Sequence, residues 1–339
     1  MNRTIRIIYG YIDSMKTGLF LLGLIGIMSA IGSVVSPDSF YNTALFKLLL
    51  VLLLLNLTCC TSRQIIGKAG RGKKILSLSK TGTLLIHFGI ILVLVGGTIN
   101  VYYGKNAEVT IAEGETVDIA SIMPTSEPLR LHLEQFSIEY NADGSPSQYT
   151  ALLNREEPTN EASSYTISVN HPQKMAGIKA YQEGFGYLIG IHGNFGANTL
   201  IDDFIEPGSA FYLPESDRQV RINEYVPNFD PDNTRSGSLR PDNPKVIFSI
   251  YEKGKLLGRG ATPFEQQLEI ADGKYITFTG VKPFTILRLK SDPGMPVAAS
   301  GGFMLILGVC TALIYKPLRK IPQRSGKEKK SSEAALRLS

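Results

Sequence analysis

Four blocks without formal charge interrupt an otherwise polar chain of 339 residues: 17–36, 48–62, 81–103 and 296–315. At ~1.5 Å rise per residue, about 20 apolar residues cross a ~30 Å hydrocarbon core as a helix. The second block is short, but it spans if the helix starts earlier and Lys47 snorkels outward along its stem. The pattern therefore predicts four transmembrane helices, three near the N-terminus (about 17–36, 44–62 and 81–103) and one near the C-terminus (292–316).

Between the third and fourth blocks the pattern changes. Residues 129–140 (LRLHLEQFSIEY) alternate apolar and polar with period two, the signature of a half-buried strand. Residues 148–153, 165–169, 177–182, 187–191, 245–253 and 275–279 are further strand candidates, separated by turn clusters such as Asn141-Ala142-Asp143-Gly144 and Ala271-Asp272-Gly273. Residues 108–119 are expected to form a hairpin turning at Glu113-Gly114. The fold class expected is a membrane protein: a three-plus-one helical anchor and a β-rich domain over 104–291, built as a sandwich or open barrel. Residues 227–244 lack periodicity and are expected to be a surface loop.

Charge sets the orientation. Basic residues crowd the ends: Arg3, Arg6 and Lys16 before the first block, Arg63, Lys68, Arg71, Lys73, Lys74 and Lys80 between the second and third, and eight from Lys316 to Arg337 in the tail. The loop between the first two blocks has none. The positive-inside rule then predicts cytoplasmic termini, a basic cytoplasmic tail over 317–339 and an extracytoplasmic β-domain. That domain holds 17 Lys and Arg against 25 Asp and Glu, a net of −8, which excludes a basic nucleic-acid surface. Topology and attraction to anionic membrane lipid account for the basic segments. A cleavable signal peptide is the competing reading of 17–36; the block is long for one and runs into a further apolar block. The first sixteen residues are short for an organelle transit peptide, so a bacterial plasma membrane is expected.

Chemistry is sparse. The three cysteines, Cys59, Cys60 and Cys310, lie in or at the ends of apolar blocks, and there is no CxxC or CxxCH. No HExxH, nucleotide loop or Ser-His-Asp cue is present. Of the four histidines, His132 falls on the polar phase of its strand, and His171 and His192 sit at expected strand ends or loops. His87 is different: it lies inside the third block, ~9 Å from its start, and an imidazole inside a span is a functional-site hypothesis. Gly82, Gly89 and Gly96 form one stripe at seven-residue spacing, with His87 ~200° away from Gly89. One face is thus expected to pack on a neighbouring helix while another presents the imidazole. An interhelical hydrogen bond, a metal or heme ligand and a proton relay are all open to it.

Several pieces, in order, resemble a known family: Ile31-Gly32-Ser33-Val34-Val35-Ser36-Pro37, Asn56-Leu57-Thr58-Cys59-Cys60, Leu85-Ile86-His87-Phe88-Gly89, Glu113-Gly114-Glu115, Val169-Asn170-His171-Pro172 with Gly177 and Tyr181-Gln182, and Asp292-Pro293-Gly294-Met295-Pro296. Their order resembles the ResB (CcsB) component of System II cytochrome c biogenesis. The resemblance implies a subunit that works with a ResC (CcsA)-type membrane protein to move heme across the membrane and attach it to CxxCH apocytochrome c. The absence of Trp fits the subunit without the tryptophan-rich heme-handling motif. His87 matches the family's transmembrane histidine, implying an axial ligand to b-type heme in transit, and His171 is a second candidate on the outer side. The chain would be a component of a heme-lyase complex rather than an enzyme alone. The alternatives are a membrane-anchored sensor or assembly scaffold with a ligand-binding β-domain, and a transporter gate using His87 as a relay.

Overall fold

Each charge-free block becomes a helix, because only a helix satisfies every backbone N–H and C=O within a single apolar segment. The computed structural model describes residues 13–35, 40–41, 43–69, 78–156, 163–195, 200–214, 216–231, 238–271 and 273–314. The helices are α1 (Met15–Val35), α2 (Ala44–Ala69), α3 (Leu78–Tyr103) and α4 (Met295–Ile314). All four are long and apolar enough to cross a membrane. Residues such as Phe20, Ile31 and Phe303 turn outward from the bundle. The N-terminal basic residues Arg3 and Arg6, residues 70–77 with Arg71, Lys73 and Lys74, and residues 317–339 lie outside the described residues. α2 continues through Ala69, so Arg63, which follows the second charge-free block, is helical. Lys47 Nζ lies 5.9 Å from the centre of the Tyr102 ring, which lets α2 start at Ala44 despite the cation.

The glycine stripe of α3 meets a matching stripe on α4. Gly82, Gly89 and Gly96 oppose Gly308, Gly301 and Gly294, so the two helices run antiparallel at backbone contact. A Cβ on Gly89 would lie 2.7 Å from Gly301 O and Leu305 N. In lipid, where apolar surface gains nothing by leaving its surroundings, such close approach is what holds helices together. Asn100 Oδ1 accepts from Gly294 N at 2.7 Å and ties the far end of α3 to the start of α4. A smaller apolar cluster of Leu21, Leu49 and Leu53, with Leu94 packed on it, joins α1, α2 and α3. These helices form one compact unit, and Lys105–Ser291 forms a second.

The second unit is all β. Its central sheet has the order β1 (Lys105–Ala112), β14 (Lys274–Ser291), β7 (Ile178–Asn194), β6 (Gln173–Met175), with β13 (Gln267–Ala271) also on β14 and β8 (Leu200–Ile205) also on β7. Two four-stranded sheets accompany it: β2 (Thr116–Asp118), β3 (Arg130–Tyr140), β4 (Pro146–Arg155), β5 (Ser164–Ser168); and β12 (Lys255–Thr262), β11 (Lys245–Glu252), β10 (Arg218–Val226), β9 (Ala210–Tyr212). All the strand pairings are antiparallel. Among the described residues none of the sheets closes on itself, and the two four-stranded sheets share apolar cores with the central one.

Two expectations fail for physical reasons. The turn at Glu113-Gly114 exists, with Gly114 at φ 79°, but β1 pairs with β14 and β2 with β3, so 108–119 links two sheets instead of forming a hairpin. Residues 177–182 and 187–191 are one strand of 17 residues, and 275–279 is the start of one of 18. A bulge in each strand hides this. β14 carries one extra residue, Thr279, between Phe278 and Gly280, and β7 carries Glu183 opposite the step from Ile286 to Leu287. An extra residue reverses the in-out phase of everything after it. Ile178 and Ala180 therefore share a face with Ile189 and Ile191, and Ile276 and Phe278 with Leu287 and Leu289.

That shared face builds two cores from one ribbon. The Ile178, Ala180, Leu287 and Leu289 end packs on Leu131, Leu133, Leu153 and Ile167 of the β3–β5 sheet. The Ile189, Ile191, Ile276 and Phe278 end packs on Val220, Ile222, Val246 and Phe248 of the β10–β11 sheet. Aromatic rings bridge them: Phe136 to Phe185 (centroids 5.5 Å), Phe185 to Tyr187 (5.8 Å), Tyr187 to Tyr225 (5.0 Å) and Tyr225 to Phe264 (5.9 Å). Burial raises the Tyr187 phenol well above its ordinary range and pushes Tyr225 up to about 12.

Candidate functional site

Three helical stripes converge on one cavity in the first unit. α1 offers Met15, Gly18, Leu19 and Leu22; α2 offers Leu53, Asn56, Leu57, Cys60 and Arg63; α3 offers Thr83, His87 and Ile90. Each set repeats at three- and four-residue steps, so each lies on one side of its helix. With Asp13 they enclose about 840 Å³, in the range of small-molecule and cofactor sites. The cavity lies toward the end of the bundle where α1 begins, α2 ends and α3 begins.

His87 is held in one tautomer. Its Nδ1 lies 2.7 Å from the Thr83 carbonyl oxygen, one turn earlier. A carbonyl can only accept, so Nδ1 carries the proton and donates. Nε2 is then the nitrogen with the lone pair, the arrangement in which an imidazole binds a metal while its other nitrogen is oriented by a backbone carbonyl. The Gly82–Gly89–Gly96 stripe packs on α4, so the same rotation of α3 that buries the glycines brings His87 to the cavity.

The walls are mainly aliphatic, with a polar group at one end. Asn56 Nδ2 donates to Ser14 O at 3.1 Å, and Arg63 Nη1 pairs with Asp13 Oδ2 at 2.5 Å. Among the described residues no group of three or more His, Cys, Asp or Glu could hold a bare metal ion. A metal arriving in a macrocycle needs only axial donors, a role for which the Nε2 of His87 is chemically suited. A flat, largely apolar ligand with a central metal and acidic edges therefore fits this donor set. In the sequence Arg63 counts only toward topology and Asn56 only within the 56–60 piece; nothing in the patterning joins them with Asp13, although the 56–60–63 spacing is visible there.

The remaining histidines lie in the β unit. His171 is exposed in the turn after β5, following Asn170 at φ 64°; the His171 N–H donates to Ser168 O at 3.0 Å and the His171 Nδ1 lies 3.1 Å from Val169 O. Its neighbours Asn170 and Pro172 line a cavity of about 390 Å³ with Tyr181, Gln182, Glu183, Arg288 and Lys290, but His171 is not itself in the lining. Two of the pieces carrying the family resemblance, 169–172 and 181–182, meet there. His132, on the polar phase of its strand, is half-buried with Nδ1 3.0 Å from Thr116 Oγ1, because β2 covers that edge of β3. His192 is exposed on β7 opposite Asp202.

Comparison with known proteins gives a consistent family. A model of the ResB-like family matches residues 75–281. The cytochrome c biogenesis protein CcsB of Prochlorococcus marinus (strain NATL1A) is 28% identical over 242 residues, covering 70% of this chain and 53% of the relative. The protein of that name from Synechococcus sp. (strain WH7803) is 27% identical over 237 residues, with the same coverage. The chain thus spans about half the length of the curated relatives it matches. Among solved structures, the cytochrome c heme lyase CcmF aligns over 89% of this chain and 35% of that chain, at 12% identity and a TM-score of 0.32.

Proposed function

The chain belongs to the ResB-like family, and from that premise, together with the cavity around His87, we propose that it serves cytochrome c biogenesis by holding heme within the membrane. The observation that carries the reading is the Nδ1–Thr83 hydrogen bond, which leaves Nε2 of a cavity-lining imidazole able to coordinate. Heme iron, when bound, would take that nitrogen as one axial ligand. Leu19, Leu22, Leu53, Leu57 and Ile90 would exclude water and accept an apolar ring edge.

With the basic end of the bundle in the cytoplasm, His87 lies in the inner part of the span and the β unit lies outside. A ResC/CcsA-type membrane protein would supply the attachment chemistry. The β unit would dock on that partner or on CxxCH apocytochrome c, and His171 is the outer-side candidate for contact. This chain is then a scaffold and a heme-holding subunit of a bacterial plasma membrane, not the catalyst by itself.

The test is heme content of the purified chain, alone and with its partner. His87→Ala should lose most of the Soret absorbance, and added imidazole should restore it by filling the space left. Heme content and spectrum identical to wild type in His87→Ala would refute the proposal.

A further inference from the structure

The cavity has two chemical poles, and the proposed function uses only His87. The other is at its polar end, where Asp13, Asn56, Cys60 and Arg63 join the lining. Leu53, Asn56, Cys60 and Arg63 follow one another at three- and four-residue steps, so Arg63 sits at the end of the α2 stripe, ~10 Å along the axis from Asn56. The α2 stripe therefore runs from aliphatic to cationic as it approaches the end of the bundle where His87 lies on α3.

Arg63 is placed to exchange partners. Its side chain is 74% exposed, whereas that of Asp13 is 18% exposed. An ion pair exposed on one side is weak and easily opened, and a guanidinium has five N–H donors in a planar fork suited to carboxylates. Asn56, 4% exposed, fixes the entry of the chain into α1 through Ser14 O and so holds Asp13 beside Arg63.

We propose that Arg63 is the carboxylate-binding pole of this cavity and that Asp13 is its intramolecular competitor. This rests on the reading of His87 as an iron ligand. A porphyrin of the heme type carries two carboxylates on one edge and is apolar elsewhere. His87 fixes its centre, Arg63 draws the acidic edge to the charged end, and the aliphatic walls take the opposite edge. Ligation and orientation are thereby separate properties of separate helices. In the proposed topology the acidic edge faces the cytoplasm and the vinyl edge leads toward the compartment where thioether bonds form.

The experiment titrates the full chain in detergent with ferric heme and with its dimethyl ester, in which both carboxylates are blocked. Wild type should prefer the free acid by about tenfold, the size of one charge-assisted pair. Arg63→Gln should lose that preference while keeping the His-ligated spectrum and the ester affinity, and Arg63→Lys should retain part of it. Asp13→Asn breaks the same ion pair but removes the competitor, so heme binding should tighten a few-fold. If both Asp13→Asn and Arg63→Gln weaken heme and ester alike, the pair is only structural and the proposal fails. It fails equally if Arg63→Gln keeps the preference, or if that variant loses a co-purifying anionic phospholipid with no change in the preference. Failure of the His87 reading would register separately, as an unchanged spectrum in His87→Ala.

Discussion

Gly89→Ala adds one methyl group at the middle of the α3–α4 glycine contact. The new Cβ would stand 2.7 Å from Gly301 O and Leu305 N, both backbone atoms that no rotamer change can move, against 3.4 Å or more for ordinary contact. The helices must therefore part by about 0.7 Å there, loosening the contacts at Gly82 and Gly96 one heptad away on either side. Overpacking of this kind costs ~1–3 kcal/mol, and the better helix propensity of Ala returns up to ~1 kcal/mol, leaving a net loss of about 1–2 kcal/mol. Gly97 and Gly302 are controls in the same helices, since a Cβ on either meets nothing within 4 Å. Unfolding by SDS titration in mixed micelles should show Gly89→Ala destabilised and both controls unchanged or slightly stabilised. Adding Gly301→Ala to Gly89→Ala should cost less than the sum of the singles, because parted helices accommodate the second methyl group. Because the glycine face sets the rotation that brings His87 to the cavity, Gly89→Ala should also bind heme more weakly. Equal stability of Gly89→Ala and Gly97→Ala would refute the backbone-contact account of this pair.

The β unit yields two further expectations. Phe278 is fully buried in the core of the β10–β11 end, so Phe278→Ala should cost ~3–5 kcal/mol, and because β7 and β14 run through both cores, near-UV circular dichroism and proteolysis should report one transition for the unit rather than loss of one end. Burial holds the Tyr187 and Tyr225 phenols above their ordinary range, so the folded state keeps protons that the unfolded state gives up; the stability is present below pH ~10 and is lost as pH rises toward about 12, and tyrosine absorbance during alkaline unfolding should show a shallower loss in Tyr187→Phe and Tyr225→Phe.

Much of the helical unit is legible in the chain because charge-free runs of spanning length have one structural solution in lipid. The α3 stripe at Gly82, Gly89 and Gly96 was equally readable, and Gly294, Gly301 and Gly308 repeat at the same spacing on the partner helix. What a single helix cannot reveal is which neighbour it meets. Asn56 and Arg63 acquire meaning only when α2 faces α1 and α3, so the polar end of the cavity was not predictable from patterning. In the β unit, isolated period-two runs such as 129–140 are found, but Glu183 and Thr279 break the phase inside the two longest strands. The pairing of β1 with β14 joins positions more than 170 residues apart, a register that no local pattern encodes.

The most direct test of the account asks which atom holds the iron. Heme bound to the full chain carrying histidine labelled with nitrogen-15 at Nε2 should show iron hyperfine coupling to one labelled nitrogen in pulsed electron paramagnetic resonance, and His87→Ala should remove it. No coupling in the wild-type protein, or coupling that persists in His87→Ala, would contradict the account.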